Sequence, residues 1–212
     1  MLIGLYGGTF DPVHRGHTHA ALSVKQALGL DEVRMVLAAR PGHRTVPVSD
    51  SQHRWQMLRL ACAECPGLTP DDSELHRHGT SYTIDTVAAL RASDAADVPC
   101  WILGQDAYAT LPVWHRWQSL LEYCNLVVVK RPGTDQVEPQ QVRDLSAAFE
   151  VNDFDPTRIG QIYRVSVPMK EISATDIRAR LAAGNTVEHL LAAPVYTYIR
   201  QHRLYASTEN TI

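Results

Sequence analysis

Positive charge is not in surplus in this chain: 20 Lys and Arg stand against 23 Asp and Glu, a formal net charge of -3 over 212 residues. That balance gives no broad electrostatic pull on DNA or RNA, so an anionic ligand has to be held by local cations and backbone donors. Long hydrophobic runs are also missing. No apolar stretch approaches the ~20 residues that span a bilayer, and from a strand pattern starting at Leu2 no signal peptide is expected. Cysteine is scarce. Cys62, Cys65, Cys100 and Cys124 suggest no disulfide framework, and Cys100 and Cys124 fall inside apolar strand-like runs. Cys62 and Cys65 have C-x-x-C spacing. No second Cys or His pair follows at metal spacing, however, and the pair ends a helix pattern, so packing is favoured over zinc or redox chemistry. The expected setting is the cytoplasm. No linker or repeat divides the chain, and 45% hydrophobic content is enough for one substantial core. The expectation is one domain over residues 1–212, with 173–212 as a small helical subregion.

Neither the usual dinucleotide glycine pattern nor the phosphate loop ending in Gly-Lys-Ser/Thr is present. Another string occupies that place: Gly7-Gly8-Thr9-Phe10-Asp11-Pro12-Val13-His14-Arg15-Gly16-His17. It follows the apolar run Leu2–Tyr6 and precedes residues 17–28, where Ala20, Ala21, Val24, Ala27 and Leu28 recur at helical spacing. Gly7 and Gly8 are expected to let the backbone turn tightly and lie against a ligand. A helix start offers unpaired N–H groups and a positive dipole end to a phosphate, and His14 and His17, three apart, project from one side of that turn.

Apolar runs at 31–38, 68–69, 98–103, 126–129 and 162–167 read as further strands, and 51–63, 82–92, 175–183 and 195–202 as helices. Residues 134–156 receive no element. Alternating strands and helices predict an α/β fold, a Rossmann-like doubly wound parallel sheet with a small C-terminal helical lobe. Ligands bind such sheets beyond the carboxyl ends of the strands, and the polar clusters at 7–17, 40–44, 104–106 and 130–132 all fall there.

A second cluster is Ile172-Ser173-Ala174-Thr175-Asp176-Ile177-Arg178. Ser173 or Thr175 is a natural N-cap, and Arg178, one turn on, lets hydroxyls, free N–H groups and a guanidinium converge on a phosphate. Pro41-Gly42-His43-Arg44 places a basic pair in a loop, where facing solvent is the plain alternative. Thr80-Ser81-Tyr82-Thr83 starts a helix. Gly104-Gln105-Asp106 ends a strand, and Trp114 and Trp117 read as core anchors on composition alone.

Taken together, these strings resemble the nucleotidyltransferases with a His-x-Gly-His signature. The complete first motif is similar to the bacterial nicotinate mononucleotide adenylyltransferase family. The resemblance runs from residue 2 to the Tyr198…Leu204-Tyr205 ending, with 134–160 excepted. It implies an ATP site of Gly7, Gly8, Thr9, Phe10, His14, His17, Gly104, Asp106, Ser173, Thr175 and Arg178, with His14, His17 and Arg178 as the catalytic donors. It also implies a mononucleotide site of His43, Arg44, Tyr82, Thr83, Asp106, Trp114 and Arg131. In that family, the aromatic matching Trp114 stacks on the pyridine ring, and the Asp matching Asp106 contacts sugar hydroxyls. Ala174 and Gly42 depart from the family's commoner residues while the Ser, Thr, His and Arg around them are kept.

The implied partners are ATP and nicotinate mononucleotide, in a monomer or small homo-oligomer, with no nucleic acid and no membrane. Mg²⁺ is expected to arrive on ATP, with no metal site of the protein's own, and Asp11 is read as shaping the loop. A phosphate oxygen attacks the α-phosphorus, so no activated nucleophile is needed and none is found. The rivals are a relative acting on nicotinamide mononucleotide or phosphopantetheine, a cytidylyltransferase, and a silent nucleotide sensor. Such a sensor would be expected to lose one of His14, His17, Ser173 or Arg178, and all four are present.

Overall fold

The computed structural model describes residues 1–40, 46–130, 137–168 and 170–206. Six strands form one parallel sheet: β1 (Leu2–Gly8), β2 (Glu32–Leu37), β3 (Leu68–Asp71), β4 (Val98–Gly104), β5 (Asn125–Lys130) and β6 (Ile162–Ser166). Their order is β3-β2-β1-β4-β5-β6, so the winding reverses between β1 and β4. That reversal opens a crevice at the carboxyl ends of those two strands, where Gly7 and Gly8 stand next to Gly104.

Period-two alternation decides what each face of the sheet buries. Cys100 and Ile102 of β4, with Val127 and Val129 of β5, join a core containing Val24 of α1 (Arg15–Leu28) and Met57, Leu58 and Ala61 of α2 (Ser51–Ala63). Trp101, Leu103, Leu126 and Val128 face the opposite core, with Ile84 and Val87 of α3 (Thr83–Ser93) and Tyr108 of α4 (Gln105–Ala109). Each fully buried aliphatic side chain contributes about 1.5–3 kcal/mol relative to exposure.

Residues 140–149, which the sequence leaves unassigned, form α5 (Gln140–Phe149). Val142 and Leu145 seat it on the second core, and Arg164 of β6 pairs with Glu138 at 2.8 Å and Glu150 at 3.0 Å on either side of it. Ile177 of α6 (Ala174–Ala182) and Val195 and Ile199 of α7 (Ala193–Gln201) are buried in the first core. The C-terminal helices therefore extend the layer made by α1 and α2. Among the described residues no helix is long and apolar enough to cross a membrane.

Candidate active site

The loop after β1 is built differently from the sequence expectation. Gly7 and Gly8 are not among the residues with positive φ, and the left-handed residue of the turn is Phe10, at φ 49°. The glycines are needed for space. A Cβ on Gly7 would lie 2.4 Å from the Trp101 ring, and one on Gly8 would lie 2.7 Å from the Phe10 ring. Helix α1 then begins at Arg15, two residues before the pattern suggests, with His14 as its N-cap.

The His14 and His17 rings stack at 3.7 Å and 26°, and the His14 backbone N–H donates to His17 Nδ1 at 3.3 Å. An accepting Nδ1 puts the proton of a neutral His17 ring on Nε2. Phe10 meets His17 edge-on at 5.1 Å. His14 is only 6% exposed, and burial pushes its imidazole down to about 4. It is thus neutral at pH 7 in the unliganded protein, and a bound polyanion would favour charging it. The residue between them fits the same packing, since a Cβ on Gly16 would lie 2.9 Å from His14 Nδ1 and 3.2 Å from the Lys170 carbonyl.

The two stretches singled out in the sequence meet at Asp11. Arg178 of α6 donates through Nη1 to the Asp11 main-chain oxygen at 2.7 Å and through Nη2 to Thr175 Oγ1 at 3.3 Å. Ser173 is the N-cap of α6, and its side chain makes no capping bond. The buried Asp11 carboxylate accepts from the backbone N–H of Val48 (2.7 Å) and Ser49 (3.2 Å) and from the Tyr205 hydroxyl (2.7 Å). It ties the loop together, in agreement with the sequence reading.

Sequence reasoning passed over Arg54. This side chain is 1% exposed and donates to the carbonyls of Ser49, Thr9, Ala38 and Ala39, joining the loops after β1 and β2 to the start of α2. A signal was present: Arg54 falls on the stripe of Met57, Leu58 and Ala61, where a charge has no solvent to face.

These elements enclose a cleft of about 540 Å³ whose lining includes Gly7, Gly8, Thr9, Phe10, His17, Gly104, Asp106, Trp114 and Arg178. An adjoining pocket of about 50 Å³ is lined by Thr83, Ser81, Glu74, Trp101 and Trp114, and shares Gly7, Gly8 and Thr9 with the cleft. Trp114 stands between the two spaces. Asp106 is exposed, and a Cβ on Gly104 would fall 2.6 Å from its Oδ1. Tyr82 caps α3 and packs on His115 at 4.3 Å, and it is not part of either lining. Trp117 packs on the second core, as expected. His43, Arg44 and Arg131 lie outside the described residues. Cys62, Cys100 and Cys124 are buried, and burial raises all three thiols, to about 12 for Cys62 and Cys100. None is an activated nucleophile.

Residues 5–180 match the cytidylyltransferase-like family. A protein of Pseudomonas aeruginosa strain PAO1 named "Probable nicotinate-nucleotide adenylyltransferase" is 45% identical over 206 residues, covering 96% of each chain. One of Pseudomonas syringae pv. tomato with the same name is 46% identical over 208 residues, covering 96% of this chain and 93% of its own. The chain belongs to the nicotinate-nucleotide adenylyltransferase family. Its fold is shared with the Plasmodium falciparum nicotinic acid mononucleotide adenylyltransferase solved in complex with NaAD. The TM-score there is 0.73 at 17% identity, with 96% of each chain covered. Of the donors the sequence singles out, His17 and Arg178 line the cleft, and His14, Ser173 and Thr175 do not.

Proposed function

We infer that this protein transfers the adenylyl group of ATP to nicotinate mononucleotide, giving nicotinate adenine dinucleotide and pyrophosphate in NAD biosynthesis. One observation carries the reading. In a chain 45% identical over 206 residues to a relative of that name, the first-loop and α6 signatures are joined by the Arg178–Asp11 bond at the sheet's switch point.

A mononucleotide phosphate oxygen attacks the α-phosphorus. One P–O bond forms, the bond to the β-phosphate oxygen breaks, and pyrophosphate leaves with its electron pair. The attacking phosphate is already anionic at neutral pH, so the protein's work is alignment and charge stabilisation. In this reading His17, His14 and Arg178 donate to the α-phosphate and the departing oxygens. Gly7, Gly8, Thr9 and Phe10 line the ATP side with Gly104 and Asp106, and Ser173 and Thr175 offer hydroxyls beside the α6 N–H groups. Trp114 stacks on the pyridine ring, and Thr83, Tyr82, Asp106, His43, Arg44 and Arg131 hold the rest of the mononucleotide.

Mg²⁺ comes as part of the ATP substrate. Asp11 is a poor candidate ligand, because three donors already occupy its carboxylate. Four free cysteines and ATP as donor support a cytoplasmic setting.

The test is pyrophosphate release from ATP and Mg²⁺ with each acceptor in turn. Nicotinate mononucleotide should give the highest kcat/KM among it, nicotinamide mononucleotide and phosphopantetheine. Faster release with phosphopantetheine would overturn the reading.

A further inference from the structure

The C-terminal turn reaches the phosphate loop, and the mechanism above gives it no task. After α7 the chain bends back and sets the Tyr205 hydroxyl 2.7 Å from Asp11 Oδ1. Arg203 (φ 51°) and Tyr205 (φ 63°) both adopt left-handed backbone, which residues with a Cβ keep only where their surroundings impose it. Burial pushes the Tyr205 phenol well above its ordinary range, so it stays a donor at every working pH. Asp11 therefore makes two separate kinds of contact. Its carboxylate is held by Val48, Ser49 and Tyr205, and its main-chain oxygen receives the Arg178 guanidinium at 2.7 Å.

We propose that Tyr205 is a positioning residue for ATP. By holding the Asp11 carboxylate it fixes the Asp11 carbonyl that aims Arg178, and with it the loop leading to His14. The hydroxyl touches no substrate and acts through Asp11. The turn at 202–205 is thereby part of the adenylyl-transfer site, and the proposal rests on that reading of the function.

Tyr205→Phe keeps the ring and removes the hydroxyl, and with it the bond donated to Asp11 and the contact with the Ser49 side chain. Both substrates are varied in steady-state assays, and the affinity of a non-hydrolysable ATP analogue is read by calorimetry. The expected result is a roughly tenfold loss in kcat/KM for ATP and in analogue affinity, as for a lost hydrogen bond to a charged group. KM for nicotinate mononucleotide should stay within about twofold of wild type.

Tyr198→Phe is the control. It removes another hydroxyl bond between the same C-terminal segment and α2, to His53 Nδ1 at 2.9 Å, and that bond does not involve Asp11. Its kinetics should match wild type. In an Arg178→Ala background, Tyr205→Phe should cost less than about threefold, because the residue it aims is gone. The proposal is overturned by unchanged ATP parameters in Tyr205→Phe, by an equal loss in Tyr198→Phe, or by a full additive loss in the double variant. The analogue measurement needs no turnover, so a failure of the acceptor assignment is seen separately in the wild-type assay.

Discussion

His17 and His14 carry the same side chain in unlike surroundings. His17 lines the open cleft, and a donor there is useful mainly when charge develops on the phosphates. His17→Ala is therefore expected to lower kcat by about 10²–10³, while ATP-analogue affinity, measured by calorimetry, stays within about tenfold. His14 is buried and neutral, with its pKa lowered from 6.5 to about 4 by desolvation. The unfolded chain takes up this proton more readily than the folded one. Stability is therefore complete above pH 6.5 and falls as the pH drops toward 4. The loss amounts to roughly 3 kcal/mol at most. Urea unfolding at several pH values should show a shallower decline for His14→Gln than for wild type, and parallel curves would remove the effect. Trp114 separates the two pockets. Trp114→Ala should raise KM for the mononucleotide at least tenfold and leave that for ATP nearly unchanged, by about the weight of one ring-stacking contact. The reverse pattern in two-substrate kinetics would exchange the pockets.

At the scale of elements, most of the helices and strands were readable because apolar positions repeat at 2 or 3.6 residues. Two interior strands of the parallel sheet, β4 and β5, show as near-continuous apolar runs. Helix α5 escaped because only Val142 of its ten residues is buried. The start of α1 was misjudged by two residues because His14, an uncommon cap, takes a place where Ser, Thr, Asp or Asn would be sought. Gly7 and Gly8 line the cleft, but they end a strand rather than make the turn. Sequence shows that a side chain is absent, and only packing shows that the Trp101 and Phe10 rings fill the space. Arg54 belongs to this scale, because it holds three segments together rather than any ligand. Arg54→Met keeps the volume and leaves four carbonyls without their donor, and it should cost on the order of 3 kcal/mol in denaturant unfolding and lower kcat as the loops after β1 and β2 loosen. Arg54→Lys should rescue little, since a single ammonium cannot reproduce the spread of the guanidinium.

For the whole molecule, the candidate site is a contact between distant parts of the chain. Segments around residues 7–17, 46–49, 104–114 and 173–178 meet over one end of the sheet, and the Tyr205 hydroxyl donates to Asp11 of the first of them. Binding that bridges such segments should stabilise the entire fold. A non-hydrolysable ATP analogue at a hundredfold over its Kd is expected to add about 2.7 kcal/mol, or roughly 5–10 °C in Tm. Arg178→Ala at the same analogue concentration should show a clearly smaller shift by calorimetric melting. An equal shift would place the guanidinium outside the triphosphate site.

The sequence by itself determined the family and the fold class, because local strings carry them: two histidines three apart after a glycine pair, a later Ser-Ala-Thr-x-x-Arg helix start, and the alternation that makes a parallel sheet. It also determined that Asp11 serves the loop. Tertiary structure alone decided that His14 is buried and neutral while His17 lines the cleft, and that Arg54 and Tyr205 hold the loops and Asp11 beside it. Burial, desolvation and hydrogen bonds between separate segments, from the Arg54–Thr9 pair to Tyr205–Asp11, depend on which surfaces meet, and that information does not reside in any local pattern.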